Sequence, residues 1–308
     1  MRRTIGLLGL ILLTGFFINA CAKPLYERGE QRSAYWEAPN KNGRYQKKTA
    51  IAIQTNSPGP YIREGEELLT QTMVQTIRDK GKRLLLLTAQ DPGFPAALQN
   101  PDSLSTSQGA FMALQAARLQ GYHCLLQAKL IGIQPDERKT GLWWFRKNRF
   151  FMTVVVALDV YDTFLGAKAA SYVRQQTVQV DEGHYRAFVD GTPQAMAAVD
   201  EMIVDLSEDL GEQAAEAVEA IKWIASVADI QGQNVYLGGV QETGLRVGDR
   251  LSIYEGRRVM EGSNGEKFIV PGYKVSDILI QSLNGDTAEA VMDEAADIQP
   301  GDIAVPAG

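Results

Sequence analysis

Three strand-like runs lie close together in the middle of the chain, and they limit the fold more than any other feature. Residues 122–133 (YHCLLQAKLIGI), 150–161 (FFMTVVVALDVY) and 167–180 (AKAASYVRQQTVQV) each read as a long strand. Between the second and third stands only the tight turn Asp162-Thr163-Phe164-Leu165-Gly166, so those two return antiparallel. The elements upstream differ in kind. Residues 49–54 (TAIAIQ) read as a strand, and residues 55–60 (TNSPGP) are turn chemistry. A helix follows from Tyr61 to Lys80, with Leu69, Met73, Val74 and Ile77 on one stripe and Gly81 as its stop. Residues 83–88 (RLLLLT) form a short apolar run of the buried parallel type, and residues 91–104 are loop. A second helix, Ser107–Gln120, carries Phe111, Leu114, Ala117 and Leu119 and closes at Gly121. After a loop around residues 181–193, a long helix runs to Ile224. The order β-α-β-α-β-β-β-α over residues 48–228 predicts an α/β (α+β) domain. Two right-handed crossovers feed a mixed sheet that ends in an antiparallel meander.

Past residue 228 the apolar period shortens from 3.6 to 2. Short strand signals at Asn234–Leu237, Leu251–Tyr254, Gly272–Leu283, Thr287–Met292 and Ile303–Val305 predict a small barrel over residues 229–308. An internal echo, Gly248-Asp249 and Gly301-Asp302, stands before two of these strands. Gly tolerates positive φ, and Asp offers a local acceptor at a tight strand entry.

The other end of the chain is an address. Arg2 and Arg3 precede an uncharged, almost wholly apolar run, residues 5–18 (IGLLGLILLTGFFI). This is a secretory signal, too short for a comfortable membrane-spanning helix, which takes about 20 apolar residues. Ile18-Asn19-Ala20-Cys21 resembles the bacterial lipobox, with Asn19 an unusual residue at its position. The resemblance implies a signal peptide over residues 1–20 and lipidation of Cys21 by a diacylglyceryl group and an N-acyl chain such as palmitate. Several chains hold firmly where one holds marginally. Ala22 and Lys23 follow, with no Asp beside the cysteine, which implies the outer membrane of a Gram-negative bacterium. Residues 21–47 show no periodicity and mix Pro, Gly, Asn and charge, so they read as a flexible lipidated tether. Its Tyr26, Tyr35, Trp36 and Tyr45 either dock on a partner or rest on the chain's own domain.

The stretch GYHCLLQAKLIGI, then FFMTVVVALDVYDTFLGAKAASYVRQQTVQV, then a long helix, resembles the curli-secretion (CsgG-type) lipoproteins. It also resembles the related TolB N-terminal-like fold, which includes lipoprotein activators of penicillin-binding proteins. VYLGG, ETGLRVGDRLSIYEG and VSDILIQSLNGDTAEAVM look like the C-terminal domain of the flagellar assembly protein T family, whose namesake builds a ring around the basal body. One departure stands out. The curli channel inserts two membrane-spanning hairpins, and each spanning strand needs about 9–11 residues with an apolar lipid face. Residues 134–149 carry seven charges and read as a polar loop, and residues 181–192 are shorter still, so no pore is expected.

Little in the chain promises chemistry. The 37 acids exceed the 31 Lys and Arg, which argues against a nucleic-acid partner. Two cysteines and two histidines argue against a Cys/His zinc site of normal ligand count. His123 and Cys124 are strand neighbours pointing to opposite faces, Cys124 reads as a core thiol, and His184 reads as a loop residue. Asp200, Glu201, Asp205, Glu208 and Asp209 read as the solvated face of the long helix. No catalytic residue, cofactor, metal or small-molecule substrate is expected. The candidate contact is Trp143, Trp144 and Phe145, set between basic residues. They either meet a partner or the membrane interface, or fold back onto the sheet. These readings converge on a non-catalytic, periplasm-facing lipoprotein. It would serve as a scaffold or binding part in cell-envelope assembly of flagellar-ring or secretion type, with an envelope protein partner and a homo-oligomeric ring by analogy. The rival readings are an activator of a peptidoglycan synthase and a subunit of a CsgG-type secretion channel.

Overall fold

The computed structural model describes residues 34–38, 40, 43–55, 60–192 and 196–307. Cys21, the expected signal peptide and the first part of the tether lie outside them. In chain order the first half comprises β1 (Lys47–Thr55), α1 (Pro60–Lys80), β2 (Leu84–Leu87), α2 (Ser107–Leu119), β3 (Cys124–Thr140), β4 (Lys147–Asp162), β5 (Ala167–Val180), α3 (Glu182–Val189) and α4 (Ala197–Ala220). The five strands form one mixed sheet in the order β2-β1-β3-β4-β5. β1 runs parallel to β2 and β3, and β3-β4-β5 is an antiparallel meander. The predicted fold class is therefore observed.

Alternation along the strands feeds two cores. Leu126, Ala128 and Leu130 of β3 and Met152, Val154, Val156 and Leu158 of β4 point to one face. There they meet Leu69, Met73 and Ile77 of α1 and Val199, Met202, Ile203, Leu206 and Leu210 of α4. Ala50, Ala52 and Leu125 point to the other face, against Leu114 and Ala117 of α2 with Phe94, Leu98 and Tyr122.

The second half is a closed six-stranded barrel. Its strands are β6 (Ala225–Gln231), β7 (Asn234–Gly238), β8 (Arg250–Tyr254), β11 (Lys274–Asn284), β12 (Thr287–Met292) and β13 (Ile303–Pro306), in the order β11-β12-β7-β6-β13-β8. A two-stranded ribbon, β9 (Val259–Glu261) with β10 (Lys267–Ile269), stands apart from it. Val227, Val235, Leu237, Leu251, Ile253, Ile278 and Ile280 fill the interior. The internal echo has a physical counterpart here. Asp249 accepts the N–H of Arg246 at 2.9 Å, and Asp302 accepts that of Gln299 at 2.9 Å. Each spans a glycine in the left-handed region, Gly248 at φ 90° and Gly301 at φ 91°. Each then launches a strand, β8 or β13, and those two strands are paired.

Several expectations need correction. The tether is not loose over its later residues. Ala34 bridges Tyr273, Lys222 Nζ donates to the carbonyls of Tyr35 and Ala38 at 2.8 and 2.7 Å, and Gln46 N–H donates to Thr243 O at 2.8 Å. Tyr35 and Tyr45 are buried and Trp36 is exposed. The segment has no periodicity because it is a strap whose backbone bonds go to other elements, a pattern that composition reads as coil. The polar loop 134–149 is instead a continuation of β3 and β4 as a hairpin. Its charges are compatible with a two-stranded ribbon open to water on both faces. The loop after β5 holds α3, N-capped by Asp181, which accepts the His184 N–H at 3.0 Å. The long helix ends at Ala220, short of Ile224, and the barrel's first strand begins at Ala225, before residue 229. Leu119, expected on the buried stripe of α2, is 80% exposed, while its neighbour Arg118 is buried. The reason is that the barrel, packed against that end of α2, offers hydrogen-bond acceptors.

Candidate functional site

β3 and β4 pair from Cys124↔Asp162 at the barrel end to Thr140↔Lys147 at the far end. At about 3.3 Å per residue the two ends lie on the order of 50 Å apart. β5 accompanies β4 only as far as Phe150↔Val180. Beyond that register the hairpin is a two-stranded finger, with the pairs Arg138↔Arg149, Lys139↔Asn148 and Thr140↔Lys147. A single 3-10 turn, Trp143–Phe145, forms the tip. The turn is closed by Phe145 N–H donating to Leu142 O at 2.7 Å. It also needs Gly141, whose φ is 118° and where a Cβ would lie 2.5 Å from Phe145 O.

The tip side chains do not fold back onto the sheet. Leu142, Trp143, Trp144 and Phe145 are 83, 77, 78 and 74% exposed. Trp143 and Trp144 stack on one another, with ring centroids 5.2 Å apart and planes 14° from parallel. Behind them stand Arg138, Lys139, Arg146, Lys147 and Arg149, five cations against the carboxylates of Asp136 and Glu137. Arg138 is engaged by Asp136 at 2.6 Å and lies over the Phe151 ring at 4.7 Å. The result is a convex apolar cap on a basic collar.

The opposite end of the sheet is the seam with the barrel, and it gathers buried polar groups that sequence reasoning missed. Lys47 is buried and donates to the carbonyls of Val218 and Glu219 at 2.6 and 2.8 Å, so it closes the C-terminus of α4. Burial holds its ammonium down at about 8. Arg118 donates to Ser226 Oγ and Gly301 O, both at 2.9 Å, and desolvation lowers its guanidinium to about 10. Asp162 is buried and accepts the N–H groups of Phe164 and Leu165 at 2.8 and 3.0 Å. Burial pushes it up to about 6, while those N–H groups, Arg118 and Lys47 pull the other way. His123 lies fully buried between the rings of Phe164 and Trp223, with centroids at 5.5 and 5.9 Å. The carbonyls of Ile224 and Gly121 face the imidazole, yet neither ring nitrogen meets a hydrogen bond of good geometry. Desolvation first, and then the Lys47 charge, hold it down at about 3.

Around this cluster the two halves of the chain are fastened together. Gly121 (φ 77°) and Gly239 (φ 71°) meet backbone to backbone, and a Cβ on Gly121 would lie 2.6 Å from Gly239 Cα. Tyr45 from the strap stacks on Trp223 at 4.6 Å, at the end of the barrel core. Tyr35 joins Phe164, Ile224, Tyr254, Ile303 and Val305 in a small apolar cluster of its own.

The remaining candidates are structural in their surroundings. Cys124 is buried in the core shared with α1 and α4, its thiol pushed up by burial. His123 faces away from it, into the seam. His184 stands in the first turn of α3 and pairs through Nδ1 with Asp181, whose carboxyl is held below its ordinary range by that contact. Glu201, Asp205, Glu208 and Asp209 line the outer face of α4, where Asp209 accepts from Arg174 at 2.8 Å. Among the described residues no three His, Cys, Asp or Glu side chains converge as metal ligands, and no helix is long and apolar enough to cross a membrane. The one sequence signal that could have exposed the seam is Arg118, a cation beside Ala117 on the buried face of an otherwise apolar helix.

No protein-family model matches the chain, and no curated protein matches it in sequence. Among solved structures it is similar to a minor lipoprotein from Acinetobacter baumannii, at 9% identity over 55% of this chain and 93% of that one, with a TM-score of 0.29. It is also similar to the PelC dodecamer from Paraburkholderia phytofirmans, at 14% identity over 59% and 92%, with a TM-score of 0.30. A third is a lipoprotein from Neisseria meningitidis, at 11% identity over 51% and 97%, with a TM-score of 0.25. Likeness at this level carries no argument about what the chain does.

Proposed function

We propose that the chain is a non-catalytic bacterial lipoprotein, anchored by acyl groups on Cys21 in the outer membrane and facing the periplasm. There it works as a scaffold or binding part in envelope assembly. The observation that carries this reading is the N-terminal series of two arginines, an uncharged apolar run and Ile18-Asn19-Ala20-Cys21. The body offers features suited to contact rather than turnover: the aromatic finger at one end and β5, a fourteen-residue strand at the sheet's outer edge. An outer strand of that length presents backbone groups to which another chain can add. The resemblances to curli-secretion lipoproteins and to the flagellar assembly protein T family favour a flagellar-ring or secretion setting.

The test is metabolic labelling with palmitate in the wild type and in Cys21→Ser, followed by cross-linked co-purification from envelopes. Label that disappears with Cys21, and capture of flagellar or secretion components, are expected. Label that persists in Cys21→Ser removes the anchor assignment. Capture of a penicillin-binding protein replaces the assembly role with that of a synthase activator.

A further inference from the structure

We propose that the finger is a second membrane contact, whose tip seats Trp143, Trp144 and Phe145 in the interfacial layer of an anionic bilayer. This deepens the contact reading of the finger and rests on it, but it commits the partner to lipid. Shape supports the choice. The tip is convex, one turn across, with its four apolar side chains about three-quarters exposed or more. A specific protein interface buries about 800 Å² on each side and takes some twenty residues, which this knob cannot supply alone. A bilayer needs no matching surface, and Trp in particular is favoured at the headgroup level, where its ring is half in and half out of water.

Charge points the same way. Five cations against two carboxylates collar the tip, on a chain whose formal charge is −6. The basic excess is thus local, set one to three residue pairs behind the aromatic turn, where lipid phosphates would stand once the tip is seated. Length sets the depth. Past the last β5 contact the finger has only a few residue pairs, about 10 Å of strand. That spans the interfacial layer, typically about 5–10 Å, but not a hydrocarbon core of about 30 Å. The finger therefore dips and does not cross.

The four tryptophans allow a direct reading, because Trp223 is fully buried and Trp36 can be removed. The acylated full-length chain carrying Trp36→Phe is reconstituted into vesicles of phosphatidylethanolamine and phosphatidylglycerol, with bromine on the acyl chains near the headgroup. The expected result is a blue-shifted tip emission that the bromines quench, weakened by salt and by vesicles of phosphatidylcholine alone. Adding Trp143→Ala and Trp144→Ala should leave only unquenched Trp223 emission at an unchanged melting temperature. Arg146→Gln and Lys147→Gln should each move the tip toward water by about fivefold.

Emission that stays unshifted and unquenched while the chain floats with the vesicles overturns the lipid contact and leaves the anchor standing. A blue shift that grows with protein concentration without lipid overturns it too, in favour of a second copy covering the tip. If tip quenching and flotation are both the same in Cys21→Ser as in the wild type, the finger stands and the anchor falls. Envelope co-purification separates the two readings of the finger. Partners lost with Trp143→Ala and Trp144→Ala, with no quenching in the parent, keep the contact site but hand it to protein.

Discussion

Replacing His123 by Phe should unmask a gain in stability in mild acid that His123 cancels in the wild type. A histidine in an unfolded chain titrates near 6.5, whereas His123 in the fold is held at about 3. Between those values the unfolded state binds a proton that the folded state refuses. The stability linked to His123 is therefore full above pH 6.5 and drains as pH falls, by ~1.4 kcal/mol per unit and about 5 kcal/mol in all. Asp162 works in the opposite sense. Its folded value of about 6 stands above an ordinary carboxyl, so between about 6 and 4 the folded state holds the proton that the unfolded state has lost. Stability linked to Asp162 is full below pH 4 and is lost as pH rises through 6, by about 3 kcal/mol. In the window where both titrate, the two slopes cancel, and the wild type shows little net response from this cluster. Phe keeps an aromatic ring between Phe164 and Trp223 and removes two buried nitrogens that lack a hydrogen bond, against the cost of a larger ring, so near neutrality the variant should lie within ~2 kcal/mol of wild type. From about pH 6.5 to 4.5 it should then gain on wild type by about 3 kcal/mol. Asp162→Asn keeps an oxygen for the Phe164 and Leu165 N–H groups and should instead lose about 2 kcal/mol relative to wild type over the same window. The assay is urea unfolding of all three proteins at several pH values, read as differences so that shared surface carboxylates drop out. If His123→Phe tracks the wild type in parallel across that window, the account of a neutral, desolvated His123 is wrong.

Asp302 is fully buried and accepts from Gly256 N at 3.2 Å, Arg257 Nε at 2.9 Å and Gln299 N at 2.9 Å, so Asp302→Ala strands several donors at once. A loss of about 3–5 kcal/mol in chemical denaturation is expected, with Asp302→Asn costing less. Gly121→Ala must meet Gly239 at less than 3 Å in a left-handed conformation. It should cost about 2 kcal/mol or more and should raise hydrogen exchange along the seam before it does so within either core. Arg118→Met removes the links to Ser226 and Gly301 and should destabilise by about 1–3 kcal/mol, while Leu119→Ala, one residue on and exposed, should lie within about 0.5 kcal/mol of wild type. Tyr45→Ala, which uncovers Trp223, should red-shift the buried tryptophan emission and cost about 3 kcal/mol, a result a free tether would not give.

Where a segment's partners lie on its own strand or helix, local pattern was enough to read it. The meander β3-β4-β5 follows from long apolar runs and one five-residue turn, and α1 follows from Leu69, Met73 and Ile77 at four-residue spacing. Even the Gly-Asp echo kept its meaning, because the acceptor and donor of each turn sit three residues apart. The candidate contact was legible as a cluster of aromatics among cations, but not its posture. Whether Trp143 and Trp144 face water or fold back depends on where β5 stops, and no property of residues 141–146 encodes that.

What the sequence determined by itself is the main strands and helices of the sheet domain, their order and the barrel-forming tail. What only the tertiary structure decided is how the two halves are joined. Arg118 looks like a solvated cation and Leu119 like a core residue until the barrel arrives with Ser226 and the Gly301 carbonyl, 108 and 183 positions away from Arg118. Tyr35 and Tyr45 look like parts of a tether until Gly272 O takes the N–H of Tyr35 and Trp223 stacks on Tyr45. The physical reason is the same in each case. A polar or aromatic group is stable in a dry interior once its hydrogen bonds or its ring face are met. The groups that meet them here are distant in sequence, backbone carbonyls or single rings, which leave no periodic trace in the chain.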